Sequence, residues 1–389
     1  MASSARAAVT AEAARLQRDL VALSQTLHSH PETAWEEHRA AQWVGDALDG
    51  LGFTVTPRYL GLDTALHAAF GTGNRRIAFI AEYDALPGLG HACGHNLIAA
   101  IAVGAGGALA RVAQELDLRV EVFGTPAEEG GGGKIEMLER GAFTGLDLAM
   151  MAHPAPVDIA EARPFAVSHS HVHYEGRAAH AAAYPEHGVN ANDAFLVAQV
   201  ALGLLRQQLP SSVRVHGIMT NGGEAPNAIP QSTDGRWYIR AGTLAELAAI
   251  EPRVVRCFEA GALASGAELT ITPESKPYAE FRNDERVLDL YRKNAIGLGR
   301  RFDASPAAGR MNRASTDMGN VSQVLPAIHP YIGVGSLPAT NHQREFAAHC
   351  VGADAERALL DAATALALTA VDVAESRGAR AEPEQKDGR

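Results

Sequence analysis

The sequence predicts an α/β protein, a mixed and largely parallel sheet flanked by helices, interrupted by an inserted α+β domain. Up to residue 166, apolar runs at 77–80 and 118–123 alternate with helix-like stretches, as parallel strands do when their crossovers cover both sheet faces. From 167 to 281 the order becomes strand, helix, strand, strand, helix, strand, the ferredoxin-like order, in a piece of the right size to hold its own core. Helix then returns. The expected division is 1–166 and 282–375 for the main domain, 167–281 for the insert, and 376–389 for a charged, disordered tail.

Taken in order, the first 23 residues scatter Arg and Glu among alanines; they read as an amphipathic helix and lack the apolar core of a signal peptide. A second helix is expected over 28–49, with Pro31 and Glu32 near its start and Gly50 and Gly52 past its end. The polar turn 72–76 leads into the strand 77–80. The run 96–112 is helix-like, and its apolar stretch 97–110 is too short to span a bilayer, so a buried helix is expected. A strand at 118–123 and an apolar segment at 146–150 follow. In the insert, 167–174 alternates as a strand, 191–208 and 244–260 are helix-like, and strands are expected at 213–220, 233–240 and 268–273. A long helix over 353–374 closes the fold.

Composition bounds the function. A chain of 389 residues is long enough for two domains, and 47% hydrophobic with 20% charged residues is a globular balance. The net charge of -11 argues against nucleic acid or an anionic membrane as partner, since both need a basic footprint. Three cysteines make no disulfide framework, which fits a cytoplasmic protein.

In such sheets ligands gather beyond the carboxyl ends of the strands, and the conspicuous motifs fall there. The first runs from Glu82 through Asp84 to Cys93, Gly94, His95 and Asn96. A thiolate and an imidazole two residues apart on a glycine-bearing turn can face one metal-sized cavity; a buried cysteine near a helix start explains the pair as well. Next, Glu128 and Glu129 follow an apolar strand. Adjacent acids repel unless cations offset them, so one can ligate a metal while the other takes a proton, although a solvated acidic loop is the simpler alternative. His153, between Ala152 and Pro154, and His342, in a polar loop, are each ambiguous alone. Together the four signals supply sulfur, nitrogen and oxygen donors suited to zinc or manganese.

These motifs, in this order from about His28 to Phe346, resemble the dinuclear-metal aminoacylase and carboxypeptidase-type amidohydrolases, and in particular the aminobenzoyl-glutamate hydrolase-like branch. The resemblance implies that Cys93, His95, Glu129, His153 and His342 hold two divalent ions, Zn2+ or Mn2+, with Cys93 as a bridge. It implies that Glu128 is the general base and that Asp84 orients a metal-site side chain. It also implies that His180, in the segment 176–181, reaches a neighbouring subunit's site, and that Asn227 contacts substrate. A homodimer built through an insert that acts as dimerisation and lid domain follows. The expected reaction is hydrolysis of a small amide substrate, an N-acyl amino acid, an aminobenzoyl-glutamate-like conjugate or a dipeptide. Its carboxylate would call for an arginine such as Arg240, Arg310 or Arg313. Two departures stand out: Glu82, where many relatives have histidine or aspartate, and Asn96, where aspartate often follows the Cys-Gly-His motif.

Other readings compete. Cys93 could be a nucleophile with His95 or His91 as its base, or the scaffold could be a non-catalytic binding protein. His28, His30 and His38 read as surface or packing residues. His169, His171 and His173 alternate on one strand face, a polar face or a second metal site. His216, His329 and His349 have no partner motif. The glycines at 130–133 before Lys134 fail as a phosphate loop, because Ile135 stands where a hydroxyl residue would bind magnesium.

Overall fold

The computed structural model describes residues 3–303, 305 and 314–378. The chain divides into two units, Met1–Arg163 with Phe281–Arg389, and Pro164–Glu280. The first unit begins with α1 (Ser4–Ser29), α2 (His38–Gly50), β1 (Thr54–Pro57), β2 (Leu66–Phe70), β3 (Arg75–Glu82) and α3 (His95–Ala110). It continues through β4 (Leu118–Thr125), α4 (Gly133–Glu139), β5 (Leu148–Met150) and β6 (His153–Ala155). The inserted unit is β7 (Ala166–Glu175), α5 (Ala191–Leu205), β8 (Arg214–Asn221), β9 (Ser232–Ala241), α6 (Leu244–Ser265) and β10 (Glu268–Pro273). The chain returns through α7 (Glu285–Gly297), α8 (Met318–Ser322), β11 (Ala327–Ile328), β12 (Tyr331–Gly333), α9 (Arg344–His349) and α10 (Ala353–Gly378).

The main sheet has the order β1-β2-β4-β3-β5-β11. β4, β3, β5 and β11 run parallel, whereas β1 and β2 form an antiparallel edge. That edge was not expected: β1 is mostly exposed and carries no apolar run. The fold class is otherwise the one expected, an α/β sheet with helices and an α+β insert. In the insert the sheet order β10-β7-β9-β8 is antiparallel throughout, with α5 and α6 packed against it.

Every residue of α3 except its last is buried, because the helix packs on β3 and β4 and is covered by α1 and α10. Glycine makes the fit possible: a Cβ on Gly106 would lie 2.7 Å from Val122, and one on Gly104 would lie 2.7 Å from Leu20. The apolar stretch is thus a core helix, and no helix among the described residues is long and apolar enough to cross a membrane.

Two helix boundaries differ from expectation. The helix expected over 28–49 begins only at His38, while α1 extends to Ser29. Pro31 removes a donor, and Glu32 turns its carboxylate forward to accept the N–H groups of Arg39 and Ala40, each at 2.9 Å. This caps α2 from the preceding loop and offsets its exposed donors. At the other end, α10 runs to Gly378, beyond the start expected for the tail; residues 379–389 lie outside the described residues.

Buried charge on the sheet is also paired. Glu121 of β4 is fully buried, with His67 Nε2 and Arg76 Nε each 2.6 Å from its oxygens. Burial alone would raise this carboxyl, but the hydrogen bonds from His67 and Arg76 bring it down to about 2. A depressed folded value stabilises the fold above the ordinary carboxyl range, and that contribution fades as the pH falls toward 2. Glu121→Gln is therefore expected to cost about 2 kcal/mol at pH 7, discounted because Arg76 is partly exposed. In urea melts the gap to wild type should narrow between about pH 4 and pH 2; a gap independent of pH would show that the pair does not stabilise through its charge.

Candidate metal centre and active site

The site grows from the carboxyl ends of neighbouring parallel strands. β3 ends at Glu82 and delivers Asp84; β4 ends at Thr125 and delivers Glu128 and Glu129; after β5 comes His153, which opens β6. Cys93 and His95 flank Gly94 at the start of α3. Gly94 takes φ +85°, and a Cβ there would lie 2.8 Å from Pro154, so glycine lets the Cys-Gly-His turn press against the His153 segment. His342, in the loop before α9, donates its backbone N–H to Ala92 O at 2.8 Å, which ties the late loop to the turn bearing Cys93.

The five expected donors lie in one cluster. Cys93 Sγ is 3.4 Å from His153 Nε2 and 3.5 Å from His342 Nε2. His342 Nε2 is 3.6 Å from Glu129 Oε1, which is 3.8 Å from His95 Nε2. Three sets of donor atoms sit within 4.8 Å of one another: Cys93, His95 and His153; Cys93, Glu129 and His342; and Glu82, His95 and Glu128. Cys93 belongs to two of them.

Ring orientation follows from the hydrogen bonds. His95 Nδ1 donates to Asp84 Oδ1 at 2.9 Å, and His153 Nδ1 donates to the carbonyl of Pro154 at 2.8 Å. Each ring is therefore turned so that Nε2 faces the cluster, as ligating imidazoles are. His95 Nε2 and Glu129 Oε1 are buried without a hydrogen-bond partner. Such orphaned acceptors cost free energy unless something electropositive meets them, and a divalent cation fits this sulfur, nitrogen and oxygen set. The departure at Asn96 leaves His95 untouched, because Asn96 Nδ2 bonds instead to Ser24 Oγ at 2.9 Å and Cys350 O at 3.0 Å.

The electrostatics point the same way. Burial, reinforced by Glu82 and Glu129, raises the Glu128 carboxyl well above the usual range. Burial, with Glu129, also raises the Cys93 thiol. Cys93 Sγ is surrounded by several imidazoles as well as the Glu129 carboxylate, a mixed donor set that suits ligation.

Sequence reasoning passed over a third layer. Lys134 is completely buried, with Nζ 2.6 Å from Glu82 Oε1 and 2.7 Å from Asp317 Oδ1. Burial alone would raise Glu82, yet Lys134 and His95 bring it down to about 2. Two of the glycines before Lys134 serve packing, since a Cβ on Gly131 would meet Trp35 at 2.2 Å and one on Gly133 would meet the Pro126 carbonyl at 1.9 Å. The available signal was a lysine placed a few residues after an acid pair; Asp317 carried none.

The remaining candidates distribute as follows. His180, Asn227 and Arg240 belong to the inserted unit. Exposed His180 accepts N–H groups from Ala182 and Ala183, and Ala181 N bonds to Asn227 O at 3.0 Å, so these two segments pair. Arg240 Nε donates to His216 Nε2 at 3.2 Å. Arg310 and Arg313 lie outside the described residues. His171 and His173 share Asp234 at 3.2 and 2.8 Å, and His169 reaches Ser275 Oγ at 3.1 Å, partners that suit a polar sheet face. His28 bonds to Ala347 O at 2.8 Å and His30 to Thr26 O at 2.9 Å, both packing roles. His329 is buried and stacks on His153 at 5.5 Å.

Comparison with known proteins shows the family. The model of peptidase family M20/M25/M40 matches residues 78–370. The chain is 42% identical to the Xaa-Arg dipeptidase of Mus musculus over 91% of its own length and 85% of the relative's. It is 33% identical to one of the subunits of p-aminobenzoyl-glutamate hydrolase from Escherichia coli, over 62% of this chain and 54% of that one. A solved dinuclear metal binding peptidase of the M20 family from Bacillus subtilis superposes with a TM-score of 0.67 at 21% identity, covering 93% of this chain and 99% of that one. The chain thus belongs to peptidase family M20/M25/M40 and is a hydrolase of peptide or amide bonds.

Proposed function

We propose that this protein is a two-metal dipeptidase in which Cys93, His95, Glu129, His153 and His342 hold the ions and Glu128 is the general base. The observation that carries the reading is the shared vertex at Cys93: one sulfur belongs to both the His95–His153 set and the Glu129–His342 set, as a bridging ligand must. Asp84 serves both, since Oδ1 accepts from His95 and Oδ2 accepts the N–H of Glu129 at 2.9 Å. Zinc and manganese both suit the donors.

Ions held by these residues would supply Lewis-acid polarisation of the scissile carbonyl and would acidify a water. Glu128, buried beside these residues, would take a proton from the attacking water and return it to the leaving amine. His180 donates a hydrogen bond to the oxyanion of the tetrahedral intermediate, from a neighbouring subunit. The dipeptide assignment rests on the 42% identity to a relative named for Xaa-Arg dipeptides, and dipeptides ending in arginine are the first substrates to try. N-acyl amino acids and aminobenzoyl-glutamate are the second class, supported by the Escherichia coli relative. Three free cysteines support a cytoplasmic enzyme.

The inserted unit supports a homodimer. Along α5, Leu196, Val200 and Leu204 recur every fourth residue and are 52%, 65% and 61% exposed. β8 is the edge strand of the insert's sheet, and Arg206, just past α5, bonds to its Val215 O. Both features invite a second copy.

Four outcomes are expected. Chelation should abolish hydrolysis of an Xaa-Arg dipeptide, and Zn2+ or Mn2+ should restore it; chelator-insensitive turnover would leave the cysteine mechanism standing. Glu128→Gln should lower kcat by about 10^3-fold with KM little changed; a kcat within a few-fold of wild type would remove Glu128 as base. Val200→Glu with Leu204→Glu should yield monomers by sedimentation, and mixed Glu128→Ala and His180→Ala subunits should recover activity that neither has alone. Persisting dimers would remove α5 as the contact, and no recovery would remove His180 as a group acting in trans.

A further inference from the structure

The donor geometry contains a conflict. His95 Nδ1 is committed to Asp84, so Nε2 is its one free ligand atom. Yet two donor sets claim that atom: Cys93 with His153, and Glu82 with Glu128. Glu82 Oε2 lies 3.6 Å from His95 Nε2 and Glu128 Oε2 lies 3.9 Å from it, so an ion between these carboxylates would draw His95 away from Cys93 and would occupy the proposed base.

We infer that Lys134 settles this conflict as a positioning residue: its ammonium holds Glu82 out of the metal-ligand set, leaving His95 to the Cys93 site and Glu128 to proton transfer. The inference deepens the two-metal reading and rests on it. Three observations support it. Lys134, Glu82 and Asp317 are all completely buried, so bulk water does not screen these charges, and Lys134 meets Glu82 through Oε1, offsetting the charge of the carboxylate whose unpartnered Oε2 faces His95. The cation is aimed by two contacts to one residue, since Asp317 Oδ2 accepts the backbone N–H of Lys134 at 2.9 Å while Oδ1 meets the ammonium. And the segment that carries Lys134 starts α4 immediately after the loop of Glu128 and Glu129, so the counter-cation and the acids it offsets are placed by one turn of chain. A cation fixed by the backbone at Glu82 does electrostatically what a third metal ion would do, without consuming His95.

The test compares wild type, Lys134→Met, and Lys134→Met combined with Glu82→Gln, each loaded with Co2+. Metal content per chain, the near-ultraviolet thiolate-to-cobalt band and steady-state kinetics are measured. Wild type should bind two ions and show the thiolate band. Lys134→Met should lose most of that band and about 10- to 100-fold in kcat, the usual range for residues that orient ligands. The double variant, which removes the freed carboxylate as well, should regain the band. A wild-type band and kcat in folded Lys134→Met would overturn the inference, as would a double variant without the band. Should the single variant not fold, the double variant decides by the same criterion. Wild-type enzyme that binds no divalent ion would overturn the two-metal reading itself, an outcome distinct from the other two.

Discussion

The donor cluster hangs on the Asp84 carboxylate, which accepts from His95 Nδ1 through one oxygen and from the backbone N–H of Glu129 through the other. The two bonds couple residues that arrive on different motifs, the turn at the start of α3 and the loop after β4. A bidentate acceptor at the end of the central strand β3 fixes their separation through the protein's own bonds. Asp84 is 1% exposed, so the coupling acts where water cannot weaken it. Ligand geometry held by a rigid strand end, rather than by loop conformation, is what a preorganised metal site requires.

Around that anchor the structure must balance an excess of negative charge. Glu82, Asp84, Glu128 and Asp317 are all buried, and Lys134 is the one lysine or arginine among the buried residues described. One ammonium offsets Glu82 and Asp317 in close contact, which leaves the charge of Glu128, Glu129 and the Cys93 sulfur to be met in another way. Burial raises Glu128 and Cys93 toward their neutral forms. The same charges that repel one another favour divalent cations, so the acidity of the interior is a cost of folding that metal binding reverses.

Much of this arrangement was legible in the sequence because the informative residues are chemical oddities placed after apolar runs. Cys93, His95, the Glu128–Glu129 pair and His153 each follow an element whose periodicity was readable, and the parallel sheet forces those ends to one side. His342 gave a weaker signal, since its loop follows only the short β12; what secures it is a backbone hydrogen bond to Ala92, which no pattern encodes. The helix misplaced over 28–49 failed for a related reason. Pro31 and Glu32 read as start signals, but the helix they signal begins only at His38, because the forward-reaching Glu32 carboxylate caps it from the preceding loop. The edge strand β1 has no apolar alternation to read. The Lys134–Asp317 pair joins residues far apart in the chain, and a buried lysine is indistinguishable from a surface one until its partners are known.

The division of labour between the two units follows from the same physics. The candidate metal ligands need tight spacing, and they collect at the strand ends of the rigid sheet, with His95 completely buried and Cys93 and His153 nearly so. The insert carries its candidate residues otherwise: exposed His180 and exposed Asn227 sit on two loop segments joined by a backbone hydrogen bond, in a unit with a core of its own built on Phe195, Trp237 and Phe258. Groups that meet a substrate which must enter and leave gain from exposure, whereas groups that hold an ion lose from it. A chain that separates the two tasks into two cores can vary the pocket wall without disturbing the metal geometry. The motifs that identify the family accordingly lie on the sheet unit, where the spacing of the donors is fixed.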